Sequence, residues 1–149
     1  MDNFKIYNKS FKPTEEEKEE VVAFLFQHLQ EYGDKTEDIR KCFDFALKDS
    51  KEGLGGFVLM LHENGEINGI TIVNKTGMGG YIPDNILVYI AVHENARGKG
   101  IGKKLMNKAI ELADGDIALH VEPNNPAKIL YEKLGFENKY LEMRLKKQH

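Results

Sequence analysis

Hydrophobic positions along this chain fall into two rhythms. Residues 4–8 alternate weakly between apolar and polar, which predicts a first strand. Pro13-Thr14 then opens a helix, with Thr14 and Glu17 at capping-box spacing. Val21, Val22, Leu25, Phe26 and Leu29 recur at helical spacing, and Gly33 marks the expected end. Thr36 starts a second helix whose Ile39, Phe43, Ala46 and Leu47 share a face. After the glycines at 53, 55 and 56, residues 57–61 and 67–73 read as strands, joined by the hairpin turn Glu63-Asn64-Gly65. A glycine-rich loop over 76–80 leads to Pro83 and an unbroken apolar run at 86–92. A helix follows over 103–113, with Ile101, Leu105, Ala109 and Leu112 toward the core. Residues 117–121 predict a short strand, and a helix is expected from Pro126 to Gly135. Phe136 and Tyr140 to Leu145 read as one or two closing strands. Strands at both ends around an inner strand–helix–strand–helix unit imply an α+β or mixed α/β sheet.

The 149 residues match the size of one domain, 1–149, with no linker, repeat or low-complexity segment. Apolar residues make up 41% of the chain, enough for a core. No stretch approaches the ~20 apolar residues of a membrane span. Nor does the start resemble a signal peptide, so a cytoplasmic protein is expected. The net charge of −3, with acids and bases mixed, argues against nonspecific nucleic-acid binding. The acidic run at 15–20 reads as the solvated first turns of a helix, where anions suit the dipole. Cys42 is the single cysteine and lies beside Phe43 in an expected helix, so it reads as a buried structural thiol. The five histidines show no paired ligand spacing, and no metal site is expected.

Candidate chemistry concentrates in Arg97-Gly98-Lys99-Gly100-Ile101-Gly102, between the apolar strand and the helix after it. A strand running through glycines into a helix N-terminus suits a phosphate. The P-loop pattern fails, because Lys104 stands where a hydroxyl is needed and Arg97 where a glycine is. A dinucleotide fingerprint begins well at Gly98 and Gly100, but Lys103 occupies its third glycine position. The segment instead resembles motif A of the GCN5-related N-acetyltransferase (GNAT) family, [QR]-x-x-G-x-[GA], at Arg97, Gly100 and Gly102. Residues 124–136 resemble that family's motif B, N-x-x-A-x-x-x-Y-x-x-x-G-F, at Asn124, Ala127, Tyr131, Gly135 and Phe136. The local chemistry agrees: Asn124 can cap a helix, Pro126 suits its first turn, and Gly135 suits the left-handed residue that ends it. Asn124, Ala127 and Tyr131 are spaced to share one helical face.

The resemblance implies a mostly antiparallel, twisted sheet of six or seven strands with about four helices, its two central parallel strands splayed. It implies acetyl transfer from acetyl-CoA to an amine by direct attack. Backbone groups of Ile90, Ala91 and Val92 would pair with the pantetheine arm. Amides across Arg97, Gly98, Lys99, Gly100, Ile101 and Gly102 would take the pyrophosphate, and Asn124 would anchor the arm from the other side. Tyr131 matches the usual general acid; a phenol with a reference pKa near ~10 is protonated at neutral pH. The glutamates that serve as base in other branches are replaced by Ile86 and Val88, which cannot take a proton. His93, His120, Glu122 or an ordered water are the remaining candidates. The acceptor, a small-molecule or peptide amine, carries no recognisable signature. Many members form homodimers, but no exposed apolar stripe in the sequence marks an interface. Two other functions compete: a coenzyme A-binding module without catalysis, and a nucleotide-dependent oxidoreductase using the glycine loop.

Overall fold

The computed structural model describes residues 3–148. The chain divides into two compact units, Met1–Leu119 and His120–His149. The first holds a five-stranded sheet: β1 (Asn3–Tyr7), β2 (Gly56–Glu63), β3 (Glu66–Lys75), β4 (Asn85–Val92) and β5 (Ile117–Leu119), in that spatial order. Pairing is antiparallel from β1 to β4 and parallel between β4 and β5. Asn64 and Gly65 both take positive φ, at 55° and 80°, between the paired Glu63 and Glu66. That is the primed two-residue turn whose twist matches the flanking strands.

Three helices complete this unit: α1 (Glu15–Leu29), α2 (Thr36–Leu47) and α3 (Ile101–Leu112). The capping box at the start of α1 is present in both directions: Glu17 N–H donates to the Thr14 hydroxyl and Thr14 N–H to the Glu17 carboxylate. Helices α1 and α2 bury Val21, Val22, Leu25, Ile39, Phe43, Ala46 and Leu47 against Val58, Met60, Ile70, Ile72, Tyr89 and Ala91 of the sheet. Phe24, not Phe26, completes the buried face of α1; Phe26 is 55% exposed. Apolar character alone could not separate the two, since residues two apart on a helix point to different sides.

Strand residues alternate faces. Gly69, next to Ile70, therefore turns to the opposite face, where α3 packs. A Cβ at Gly69 would stand 2.6 Å from Leu105 Cδ1 and 3.2 Å from the Ala91 carbonyl oxygen, so glycine is what permits this close approach. Ile101, Leu105, Met106 and Ala109 are the buried residues of α3. Leu112, expected inside, is exposed in its last turn.

The second unit contains α4 (Ala127–Lys133). The expected six or seven strands are not reached: among the described residues there are five, and the closing segment forms none. Tyr140, Leu141, Met143 and Leu145 are all exposed there. Their alternation suits a strand, but a strand is completed by ladder bonds from a neighbour. The charges between them instead meet each other locally, as Arg144 does Glu142.

Candidate active site

The site begins with an irregularity in β4. Ile72 pairs with Tyr89 but Val73 pairs with Leu87, so Val88 is an extra residue without a counterpart on β3. Such a bulge re-aims the residues around it. Leu87 shares the α3 side with Val73, whereas Tyr89 shares the α1–α2 side with Ile72. The parallel pairing to β5 ends at the same place, with Leu87↔Leu119 as its last pair. From Tyr89 to Val92, β4 is paired with β3 on one edge and has no β5 partner on the other. The sequence-predicted Ile90, Ala91 and Val92 all lie in this open stretch.

Residues 93–100 then lead from β4 into α3. Gly98 and Gly100 have φ of 80° and 77°, and a Cβ at either would meet nothing within 4 Å. Both face open space rather than packed neighbours. Gly100 is the N-cap of α3, whose first intrahelical bond runs from Lys104 N–H to the Gly100 carbonyl. The amides of Ile101, Gly102 and Lys103 precede that bond and have no acceptor within the helix. An α-helix of twelve residues adds its dipole at this end. These residues fit an anionic phosphate group.

Arg97 has a different part from the other motif residues. Its Nη2 donates to the His28 carbonyl at 3.0 Å and its Nε to the Val92 carbonyl at 3.4 Å. The side chain is a strut between the last turn of α1 and the end of β4. His28 beneath it is 5% exposed, with its Nδ1 buried and unpartnered among the described residues. Burial, reinforced by the neighbouring His93 ring at 4.3 Å, pushes the His28 pKa down. His93 accepts a hydrogen bond from Asn95 N–H on Nδ1 and caps a single 3-10 turn. It stands five residues beyond the bulge, roughly 16 Å along an extended strand.

On the α1–α2 side, the Tyr89 hydroxyl donates to Asp34 Oδ2 at 2.6 Å. Tyr89 is 6% exposed, and burial together with the carboxylate raises its pKa well above the usual phenol value. No sequence motif marks this pair, because its partners lie far apart along the chain. Cys42 is held as expected: burial pushes its thiol up to about 12, and Asn74 Nδ2 bonds its Sγ at 3.4 Å. A thiol so placed is no nucleophile at neutral pH.

In the second unit, Tyr131 lies on α4, is 6% exposed, and packs edge-on to Phe136 with ring centroids 6.0 Å apart. Burial raises its pKa to about 12, which keeps the phenol protonated. Gly135, with φ of 104°, ends the helix: Phe136 N–H reaches the Tyr131 carbonyl and Gly135 N–H that of Glu132. This is the Schellman arrangement that the glycine predicted. The start of α4 differs from expectation. Asn125, not Asn124, bonds the Ala127 N–H, at 2.9 Å, and Asn124 lies before the helix. Either asparagine has the right chemistry, so residue type alone could not choose between them. His120 is exposed, with Nδ1 4.0 Å from Glu142 Oε1, and Glu122 is also exposed. No cluster of three or more potential metal ligands exists among the described residues, and no helix there is long and apolar enough to cross a membrane.

A sequence profile described as an acetyltransferase (GNAT) domain matches residues 54–138, more than half of the chain and across both units. The chain therefore belongs to the GNAT acetyltransferase family. Solved structures share the fold at low identity. One is the aminoglycoside N-acetyltransferase AAC(6')-Iy in complex with CoA, at 14% identity and a TM-score of 0.69, covering 100% of this chain and 97% of that one. The aminoglycoside 6'-N-acetyltransferase AAC(6')-IG from Acinetobacter haemolyticus has 13% identity, a TM-score of 0.69 and 99% coverage of both chains. A transcriptional regulator from Bacillus halodurans C-125 has 22% identity and a TM-score of 0.68, covering 97% of this chain and 99% of its own. No curated protein matches in sequence.

Proposed function

We propose that this protein transfers the acetyl group of acetyl-CoA to a primary amine, with residues 1–149 acting as one acetyltransferase domain. The observation that carries the reading is the coincidence at β4: the strand opens at its bulge, and its far end runs into an uncrowded glycine turn at a helix N-terminus. An extended amide-bearing arm suits the unpaired edge at Ile90, Ala91 and Val92. A pyrophosphate suits the amides from Gly98 to Gly102, with Lys99 contributing charge at the rim. Acetyl-CoA supplies an activated acyl thioester. The amine nitrogen attacks the thioester carbonyl, a C–N bond forms, the C–S bond breaks, and the leaving thiolate needs a proton.

Tyr131 is the proposed source of that proton. Its phenol stays protonated across the neutral range, and burial, which raises its pKa to about 12, makes it a weaker acid than an exposed phenol, so the role rests on the motif position rather than on the shift. Asn124 is proposed as a second anchor for the pantetheine arm. Of the candidate bases, His93 is the least suited: its Nδ1 is engaged by Asn95 N–H, and it stands at the phosphate end of the strand. The absence of a titratable side chain at Ile86 and Val88 favours one alternative, a CoA-binding module that does not catalyse.

Tyr131→Phe separates the two. In an enzyme it lowers kcat by about a hundredfold, the lower end of general acid contributions. The acetyl-CoA Kd, measured by calorimetry, stays within a factor of about two. Unchanged thiol release with any accepted amine would remove Tyr131 from the mechanism. Binding of acetyl-CoA with no turnover of any primary amine would leave the module.

A further inference from the structure

The open part of β4 is paired from one side only. β5 pairs no further than Leu87, and the bulge at Val88 comes directly before Tyr89. Pairing with β3 therefore decides how each peptide of this stretch is turned. His93 N–H donates to the Asn68 carbonyl at 2.8 Å, which marks that pair as a hydrogen-bonded position of the ladder. Such positions alternate along antiparallel strands. The register continues without a shift from Gly69↔Val92 to Ile72↔Tyr89. The main-chain groups of Ala91 and Tyr89 thus turn to β3, and those of Ile90 and Val92 turn to the open edge.

One side chain of β3 reinforces this arrangement. The Thr71 hydroxyl donates to the Tyr89 carbonyl at 2.7 Å. Thr71 is fully buried and is the only polar side chain among residues 69–72, which pair with the open stretch. A β-branched residue suits a strand there, but valine or isoleucine would suit it as well. The hydroxyl is what strand packing does not require. A carbonyl oxygen has two lone pairs. The ladder uses one, and the hydroxyl takes the other. A trans peptide points its C=O and its N–H in opposite directions. Gripping the Tyr89 carbonyl on the β3 side therefore aims the Ile90 N–H at the edge that β5 leaves open.

We propose that Thr71 is a positioning residue for the acetyl donor: its hydroxyl locks the Tyr89–Ile90 peptide so that the Ile90 amide is preset to bond the thioester carbonyl. This rests on the acetyltransferase reading above. Thr71 touches no substrate and acts through the peptide. The lock matters because the stretch starts at a bulge and is paired on one edge alone. A donor group fixed beforehand needs no reorganisation when charge grows on the carbonyl oxygen. CoA carries no acetyl carbonyl, so the same peptide also favours the loaded donor over the spent one.

The test titrates wild type, Thr71→Val and Thr71→Ser, each as the full chain, with acetyl-CoA and with CoA by calorimetry. CoA reports every contact except the one to the acyl carbonyl. Thr71→Val should weaken acetyl-CoA binding by about threefold to tenfold, the range of one net hydrogen bond, while leaving CoA binding nearly unchanged. Thr71→Ser keeps the hydroxyl and should restore the wild-type ratio of the two affinities. Acetyl-CoA isotope-labelled at the acetyl carbonyl gives a second readout. Its infrared band should coincide in wild type and Thr71→Ser, and move to higher frequency in Thr71→Val, where the carbonyl is less firmly bonded. Should Thr71→Val fail to fold, Thr71→Ala carries the same prediction against Thr71→Ser. An affinity ratio and a carbonyl band that stay at wild-type values without the hydroxyl overturn the proposal. Equal losses for both ligands also overturn it, since they mark a merely structural hydroxyl. Wild type that binds neither ligand sinks the acetyltransferase reading, and this proposal with it.

Discussion

The loop at 97–102 and the loop at 30–35 flank the same strand, yet they are built in opposite ways. The first offers backbone: two glycines at positive φ, open space beside them, and helix amides without intrahelical acceptors. The second offers side chains: a carboxylate from one loop and a hydroxyl from a strand 55 residues away. Backbone recognition constrains which residues can stand in the loop, because only glycine takes those dihedrals without strain. Side-chain recognition constrains only what meets in space. The first loop is therefore held to glycine at two positions, while the second is free to differ in sequence.

The most damaging way to break the first loop is Gly100→Val. A β-branched residue at φ 77° is strained, by roughly 1–2 kcal/mol, and its Cβ would enter the open space proposed for the phosphate. Acetyl-CoA affinity should fall by at least about tenfold, since each tenfold is only about 1.4 kcal/mol. Circular dichroism should show an intact fold, because nothing lies within 4 Å of that Cβ to clash with. An affinity equal to wild type, measured by calorimetry, would place the phosphate elsewhere.

The same contrast decides what could be read in advance. Helical spacing located α1, α2 and α3, the capping box located the start of α1, and the Asn-Gly turn located the β2–β3 hairpin, since these are local interactions. The glycine turn at 98–100 and the Gly135 terminus were legible for the same reason. Val88 was not legible as a bulge: it is one more aliphatic residue in an aliphatic run, and only register with β3 reveals it. The closing segment misled in the other direction, since alternation records what a strand needs but not whether a partner is present. Asp34 gave no signal at all, because an acidic residue after a glycine is ordinary loop composition until Tyr89 is placed beside it.

Arg97 belongs to both regions, and substituting it sharpens the distinction. The family resemblance gives it only a backbone amide for the pyrophosphate, whereas its guanidinium donates to the carbonyls of His28 and Val92. Arg97→Ala should lower unfolding stability by about 1 kcal/mol, the net worth of such bonds at a partly exposed site. Its effect on acetyl-CoA affinity should be smaller than that of Gly100→Val. Arg97→Lys should recover little of the stability, since an ammonium on a flexible stem does not reproduce the guanidinium fork. If lysine restores both properties, charge rather than the strut is what matters there.

The smallest expected effect is a pH dependence beneath that strut. His28 has its pKa lowered from the ordinary 6.5, by burial first and then by His93, with Arg97 adding to the shift and Glu94 opposing it. A histidine depressed in the folded state binds fewer protons there than in the unfolded chain, so stability rises with pH through the window between the two values. The contribution is complete above about 6.5 and is lost as the pH falls below it. His28→Phe keeps a ring against Phe24 and His93 while removing the titration. Denaturant unfolding at pH 7.5 and 5.5 should show the wild type weakening more than this variant over that interval. Because Arg97 grips the His28 carbonyl, acetyl-CoA affinity should weaken over the same interval in the wild type only. Parallel loss in both proteins would mean that the anchor beneath the donor loop does not sense pH and that the two regions are joined by the backbone contact alone.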